Sequence, residues 1–230
     1  MPSKRNLLLN VLAGAVAVII LAWFAALTWT QLGYWHDSRA LWTHTLSITE
    51  NNPVAHVNYG QAIENDGQAI LAKGDVNGAI RYQEEAIRNY EEAIRIKPDY
   101  SDGHYNLGIM RARQGNLEAA VHHLYQAVHF DPREPQRHEY LRKALFQYGS
   151  ALKREGKPEE ALKQYREAVR LYPDNPAARY ELGVTLAQQG KLAEAREQFA
   201  ITLWLSPGDA EARSSLIAIE QLQAKRPGGS

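Results

Sequence analysis

A stretch of 34 residues, from Ser101 to Glu134, has the pattern of two amphipathic helices separated by a break at Gly115. Small residues stand where two helices would approach closely, and larger apolar residues fill the positions between them. The small residues are Gly108, Ala120 and Ala127, and the larger ones are Tyr105, Leu107, Leu124 and Val128. A unit of this size cannot bury its own apolar stripes. The stretch therefore predicts neighbours of the same kind along the chain.

The same pattern recurs in phase. In Ser101 to Glu134 it reads His104, Leu107, Gly108, Arg111, Gly115, Ala120, Leu124, Ala127 and Pro132. Further units end at Pro98, Pro173 and Pro207. This pattern resembles the tetratricopeptide repeat (TPR), a helix-turn-helix unit of 34 residues. The resemblance implies an all-α fold, a TPR superhelix or α-solenoid of helix hairpins, and a binding module without catalysis of its own.

The repeats and their flanks predict a division of the chain into segments. These are a transmembrane anchor (1–30), a juxtamembrane half repeat (31–52), an extended TPR hairpin (53–100), a TPR (101–134), a TPR with a lengthened first helix (135–175), a TPR (176–209), and a capping helix with a disordered tail (210–230). Asn52-Pro53 and Asn175-Pro176 each pair a capping amide with a proline, which suits the first position of a helix.

The extended hairpin contains a duplication in each helix. Gly60-Gln61-Ala62-Ile63 recurs seven residues later as Gly67-Gln68-Ala69-Ile70, and Glu84 to Arg88 recurs as Glu91 to Arg95. Seven residues make nearly two helical turns, so an added heptad keeps the buried face. We expect helices near 53–73 and 76–97, packed antiparallel along their full length. The unit 135–175 has one extra heptad, which falls in its first helix.

Residues Leu7 to Trp29 contain no charged side chain. As a helix this run is long enough to cross a bilayer. Lys4 and Arg5 precede it, so the positive-inside bias places the N-terminus in the cytoplasm and the repeats on the far side, which is the periplasm in a bacterium. A cleaved signal peptide is the alternative, although the run is long for one and no Ala-x-Ala site occurs at its end.

Residues Trp35 to Thr49 match the second helix of a repeat, without its first helix. The stretch that contains them, QLGYWHDSRALWTHTLSITENNPVAHVNYG, resembles the junction in multi-spanning glycosyltransferase-like membrane proteins that end in a TPR tail. That resemblance implies a second candidate role, as an accessory tail that recognises a substrate or partner for such an enzyme. A third candidate is a soluble repeat protein released by cleavage.

Charge and composition exclude several classes of function. The 26 basic and 26 acidic residues balance, which argues against a nucleic-acid surface. No cysteine is present, so there is neither a disulfide framework nor thiolate chemistry. His122 and His129 lie on one predicted helix face, but no third ligand is placed beside them, and a solvated outer face is the favoured interpretation. No catalytic motif and no cofactor site is predicted.

In stacked TPR hairpins the first helices line a concave groove, and the resemblance assigns these positions to a protein or peptide partner. The groove residues are Asn58, Gln61, Tyr105, Asn106, Ile109, Lys143, Phe146, Gln147, Tyr180 and Val184. Tyr105, Phe146 and Tyr180 form an aromatic stripe suited to an extended peptide, or else they fill the gaps between repeats. Asn58 and Asn106 stand where some TPR proteins hydrogen-bond a peptide backbone; Glu181 interrupts that series.

Overall fold

The computed structural model describes residues 15–16, 18–29 and 37–224. Every regular element in those ranges is an α-helix. The chain divides into two compact units, residues 1–98 and 99–230. The predicted disordered tail, 225–230, lies outside the described residues.

The described part of the predicted membrane span is helical at residues 15–16 and 18–29. Its large apolar side chains are exposed, for example Leu21 at 68% and Trp29 at 80%. Across the described ranges, no helix is both long enough and apolar enough to cross a membrane. Residues 7–14 and 17 of the predicted span lie outside the described residues.

In the first unit three helices follow: α1 (Ser38–Ile48), α2 (Pro53–Ala72) and α3 (Val76–Ile96). The bounds of α2 and α3 agree to within one residue with those that the duplicated heptads predict. Asn52 caps α2, its side chain accepting a hydrogen bond from the backbone N–H of Ala55.

The α2–α3 hairpin packs closely because glycines on α2 face tyrosine side chains on α3. A Cβ at Gly60 would stand 2.6 Å from Cε1 of Tyr90, and one at Gly67 would stand 2.8 Å from Cβ of Tyr82. Both glycines belong to the duplicated sequence. The added heptad therefore repeats the close approach as well as the apolar stripe.

The second unit consists of seven helices in its described part. They are α4 (Ser101–Arg113), α5 (Leu117–Phe130), α6 (Pro135–Arg154), α7 (Pro158–Leu171), α8 (Pro176–Gln188), α9 (Leu192–Leu205) and α10 (Ala210–Ala224). Each helix packs against the next, which makes this unit an α-solenoid of hairpins. As the extra heptad predicts, α6 has 20 residues and its partner α7 has 14.

The turns within these hairpins require a left-handed residue, and glycine occupies it. Gly115, Gly156 and Gly190 have φ values of 77°, 74° and 76°, which residues with a Cβ adopt at a cost. Asn175 and Asp209 cap the helices that follow them by accepting a hydrogen bond from a backbone N–H three residues on. Local sequence thus sets where these helices start and where they stop.

The core of the second unit lies between the helices of each hairpin and between successive hairpins. The small residues Ala120, Ala127, Ala161 and Ala195 are fully buried, as are the rings of Tyr165 and Phe199. A Cβ at Gly108 would stand 2.7 Å from Cγ of Leu124. The close approach that the sequence predicts at Gly108 is therefore present.

Candidate peptide-binding site

A cavity of about 290 Å³ opens between α4 and α6, the first helices of two successive hairpins. We call it the α4–α6 cavity. Its lining residues are Ile109, Ala112, Arg113, Leu124, Tyr140, Lys143, Ala144 and Gln147. Leu124 and Ala144 are buried, so the floor is apolar. Tyr140 and the two basic side chains stand around the rim. A cavity of this size and lining suits one apolar side chain of a ligand.

Tyr140 supplies the aromatic wall of the α4–α6 cavity. Its ring packs edge-on against Tyr105, with the ring centroids 5.4 Å apart, and 38% of the residue is exposed. Burial raises the pKa of Tyr105, and the neighbouring Tyr140 phenol adds to that rise. The Tyr105 hydroxyl therefore stays protonated at neutral pH.

Lys143 lies beside this aromatic pair. Its Nζ is 5.6 Å from the centre of the Tyr140 ring and 3.1 Å from Oε1 of Glu139. Hydrogen bonds from Arg142 and from Lys143 lower the pKa of Glu139, so this carboxylate is charged at neutral pH. Because 56% of the Lys143 side chain is exposed, its ammonium group stays accessible.

A buried arginine fixes α6 against α4. Arg137 is 7% exposed and forms ion pairs with Asp102, at 2.5 Å, and with Asp131. Its guanidinium carbon lies 6.0 Å from the centre of the Tyr105 ring. The two carboxylates compensate the buried positive charge, which would otherwise be costly. This arrangement holds Tyr105 and the start of α6 in place beside the cavity.

The three aromatic residues of the predicted stripe do not stack on one another. Tyr105 pairs with Tyr140, whereas Phe146 packs on Tyr165 at 6.1 Å and Tyr180 on Phe199 at 5.6 Å. Phe146 and Tyr180 are partly buried against the hydrophobic core. For these two rings the geometry favours the alternative, that they fill the space between helices.

The ten predicted groove residues, and with them the amide series, are divided between the two units. Asn58 and Gln61 lie in the first unit, and the other eight groove residues lie in the second. Asn58 Nδ2 donates to the carbonyl of Val54, and Asn106 Nδ2 donates to the carbonyl of Asp102, each at 2.8 Å. Each amide thus bonds within its own helix.

The remaining groove residues of the second unit lie on α4, α6 and α8. Ile109, Lys143 and Gln147 line the α4–α6 cavity. Val184 packs against the hydrophobic core between α8 and its neighbours. Glu181, which interrupts the amide series, accepts a hydrogen bond of 2.8 Å from Lys153. The structure thus brings three of the predicted residues together around one cavity.

Sequence reasoning missed Arg137, Tyr140 and Arg113. Arg137 and Tyr140 belong to the extra heptad at the start of α6, which has no counterpart in the 34-residue pattern. The length of the unit 135–175 was the available signal. An insertion in a first helix adds side chains on the groove side, because first helices line the groove.

The histidines of α5 do not share one solvated face. His123 is half-buried, and its Nδ1 lies 3.1 Å from Nδ1 of His104 on α4. His122 and His129 are exposed. Within the described part of the chain, no group of three or more His, Cys, Asp or Glu residues could hold a metal ion.

Comparison with known proteins gives two family matches. Residues 146–210 match a family model described as tetratricopeptide repeat, and residues 83–115 match one described as TPR repeat. No curated protein matches this chain.

Solved structures of similar fold include YrrB, described as a TPR protein with an unusual peptide-binding site. It is 19% identical, with a TM-score of 0.51, over 80% of this chain and 84% of that chain. A MamA protein has a TM-score of 0.47 at 21% identity, over 72% of this chain and 82% of its own. MamA from Desulfovibrio magneticus RS-1 has a TM-score of 0.45 at 21% identity, over 72% and 85%. The first of these has a TM-score above 0.5, and it supports the fold. Residues 83–115 and 146–210 therefore match tetratricopeptide repeats.

Proposed function

We propose that this chain is a membrane-anchored scaffold that binds an extended peptide of a partner protein and has no catalytic activity of its own. The α4–α6 cavity is the observation that carries the binding part of this proposal. It lies between the first helices of two TPR hairpins, and it combines an apolar floor with an aromatic wall. An apolar side chain of the peptide occupies the cavity.

The rim of the cavity gives the peptide a second point of contact. The exposed Lys143 ammonium and the edge of Tyr140 stand next to the opening, where the peptide backbone would pass. An aromatic residue with one face packed and one edge exposed is a frequent anchor in protein interfaces. The buried Arg137 ion pairs hold Tyr105, against which Tyr140 packs, so the anchor is positioned before the ligand arrives and less entropy is lost on binding.

A comparison of two tyrosines tests the binding site. Peptides selected from a random library on the full-length chain are measured against Tyr140→Ala and Tyr125→Ala by fluorescence polarisation. Tyr125 is 41% exposed, similar to Tyr140 at 38%, but does not line the cavity. We expect Tyr140→Ala to weaken binding about tenfold or more, since loss of an interface anchor costs more than about 1 kcal/mol. Equal affinity for both variants would remove the cavity from the proposal.

The exposed helical residues 18–29 support the membrane anchor. Their apolar side chains, among them Ile19 at 67% and Trp23 at 60%, have no cover from the rest of the described chain. The Thr28 hydroxyl donates to the carbonyl of Phe24 at 2.9 Å, so this polar group is satisfied within the helix. A segment with these properties is stable in lipid, where every polar group requires an internal partner. Flotation of the full-length chain with vesicles, and its loss when Leu21 and Phe24 are both changed to Asp, test the anchor.

A further inference from the structure

The end of the α2–α3 hairpin that carries the turn is apolar and exposed. Leu71 is 51% exposed, Val76 56% and Ile80 47%. We call residues 71–80 the hairpin tip. Its turn contains Gly74, with a φ of 91°, and an exposed Lys73. Three large aliphatic side chains around one turn are unfavourable in water.

The corresponding turns of the second unit do not have this property. Val76 and Ile80 stand two and six residues after the turn glycine. After Gly115 the same places hold Leu117 and Val121, both of which are half-buried, and Val121 packs against the hydrophobic core. The exposure at the hairpin tip is therefore a feature of this hairpin, which the two added heptads lengthen.

The chain enters the repeats near this tip. Arg39, at the start of α1, lies 3.4 Å from Oδ2 of Asp66 on α2 and 3.4 Å from the hydroxyl of Tyr82 on α3. Asp66 and Tyr82 are each six residues from the turn-proximal ends of their helices, which corresponds to about 9 Å. The base of the hairpin, where α2 starts, is about 30 Å from the tip.

The tether between the anchor and α1 is short. From Trp29 to Asp37 the chain has eight residue steps, which span at most about 28 Å. Because Arg39 contacts Asp66 and Tyr82, the tip is the end of the hairpin nearer to the point where this tether joins α1. The base is farther from Arg39 by about 10 Å, because Asp66 is 13 residues from the start of α2 and six from its end.

We propose that the hairpin tip contacts the lipid bilayer in which the N-terminal segment is anchored; this inference rests on the anchoring part of the proposed function. Leu71, Val76 and Ile80 enter the boundary between headgroups and acyl chains, as apolar side chains of peripheral segments do. Lys73 reaches the phosphate groups, while the Asp75 carboxylate is engaged as the cap of α3, 2.7 Å from the backbone nitrogen of Gly78.

Single-cysteine labelling tests this contact, because the chain has no cysteine of its own. Leu71→Cys and Val76→Cys are labelled with an environment-sensitive fluorophore in the full-length chain. The chain is reconstituted into phosphatidylcholine vesicles with a minor fraction of phosphatidylglycerol. Val54→Cys is the matched control, since Val54 is 47% exposed and lies at the base of the same hairpin. Nitroxide-labelled lipid should quench most of the emission at Leu71 and Val76 and little of it at Val54.

The outcomes separate the two proposals. If the chain does not float with the vesicles, both the anchor and the tip contact are wrong. If it floats but the tip labels are quenched no more than the Val54 label, the tip contact alone is wrong. Blue-shifted emission at the tip that nitroxide lipid does not quench would identify a protein contact, such as a second copy of the chain, and would also overturn the proposal.

Discussion

Gly149 lies where α6 approaches the Tyr165 ring of α7 closely. A Cβ at this position would lie 2.7 Å from Cε1 of Tyr165, whose ring is fully buried and whose hydroxyl is 3.0 Å from Oγ of Ser150. Because the ring is fully buried in the hydrophobic core, it can shift only by displacing its neighbours. We expect Gly149→Ala to lower the free energy of unfolding by about 1–2 kcal/mol, because overpacking costs about 1–3 kcal/mol and the better helix propensity of alanine returns up to about 1 kcal/mol.

Urea denaturation measures this change, and Gln147→Ala is the control. Gln147 is exposed on the same helix, where it lines the α4–α6 cavity, so its substitution changes helix propensity without adding atoms to the core. A Gly149→Ala variant as stable as Gln147→Ala would show that the α6–α7 contact is looser than its geometry indicates.

The His104–His123 pair makes stability depend on pH. Burial, together with smaller contributions from the neighbouring His104, His122 and Arg111, lowers the pKa of His123 to about 4. In the unfolded chain the His123 imidazole takes up a proton near pH 6.5. In the folded chain it takes up this proton only near pH 4. Between these values the unfolded state holds more protons, so stability falls as the pH falls. We expect the urea midpoint to drop between pH 7.5 and pH 5, and to drop less in His123→Gln.

The exposed His122 provides the comparison for this effect. His122→Gln should retain most of the wild-type pH dependence, because His122 lies outside the buried pair. If the two variants respond to pH alike, the dependence arises from another group.

The helices themselves were largely predictable from sequence, because their determinants are local. The bounds of α2 and α3 follow from the duplicated heptads, and Asn52, Asn175 and Asp209 each cap a helix as their residue types indicate. The turn glycines and the buried alanines were predictable for the same reason, because their positions also depend on local sequence. Each of these features depends on neighbours within a few residues or within one hairpin.

The two added heptads of the first hairpin are expected to act as a pair. Deleting residues 61–67 joins Gly60 to Gln68 and restores the same Gly-Gln-Ala-Ile sequence, and deleting residues 83–89 keeps Tyr90 to face Gly60. The double deletion shortens both helices by about 10 Å and keeps the hairpin matched. Each single deletion leaves one helix overhanging with its apolar stripe exposed. Thermal unfolding followed by circular dichroism should therefore show a lower midpoint for either single deletion than for the double deletion.

The candidate site was less predictable than the helices, because it depends on which residues meet across repeats. The sequence predicted Ile109, Lys143 and Gln147 as groove residues, and they line one cavity, but Tyr140 and Arg137 become significant only once Arg137 is seen to be buried between Asp102 and Asp131. A buried ion pair between successive hairpins leaves no periodic signal. The likeness of the stretch around α1 to a glycosyltransferase junction also stays a prediction, which the coding sequence upstream can test.

The proposed orientation in the membrane concerns the molecule as a whole, and the prediction rests on Lys4 and Arg5. These positive charges precede the apolar run, so we expect the N-terminus in the cytoplasm and the repeats outside it. In spheroplasts of a bacterial host, Ser214→Cys should react with a membrane-impermeant maleimide, whereas Ser3→Cys should react only after lysis. Ser214 lies on an exposed face of α10, and no native cysteine competes for the reagent.

Changing Lys4 and Arg5 to Glu should reduce labelling at Ser214→Cys, because the charge bias is then lost. Labelling at Ser3→Cys alone in intact cells would establish the opposite orientation and place the α4–α6 cavity, with its partner, in the cytoplasm.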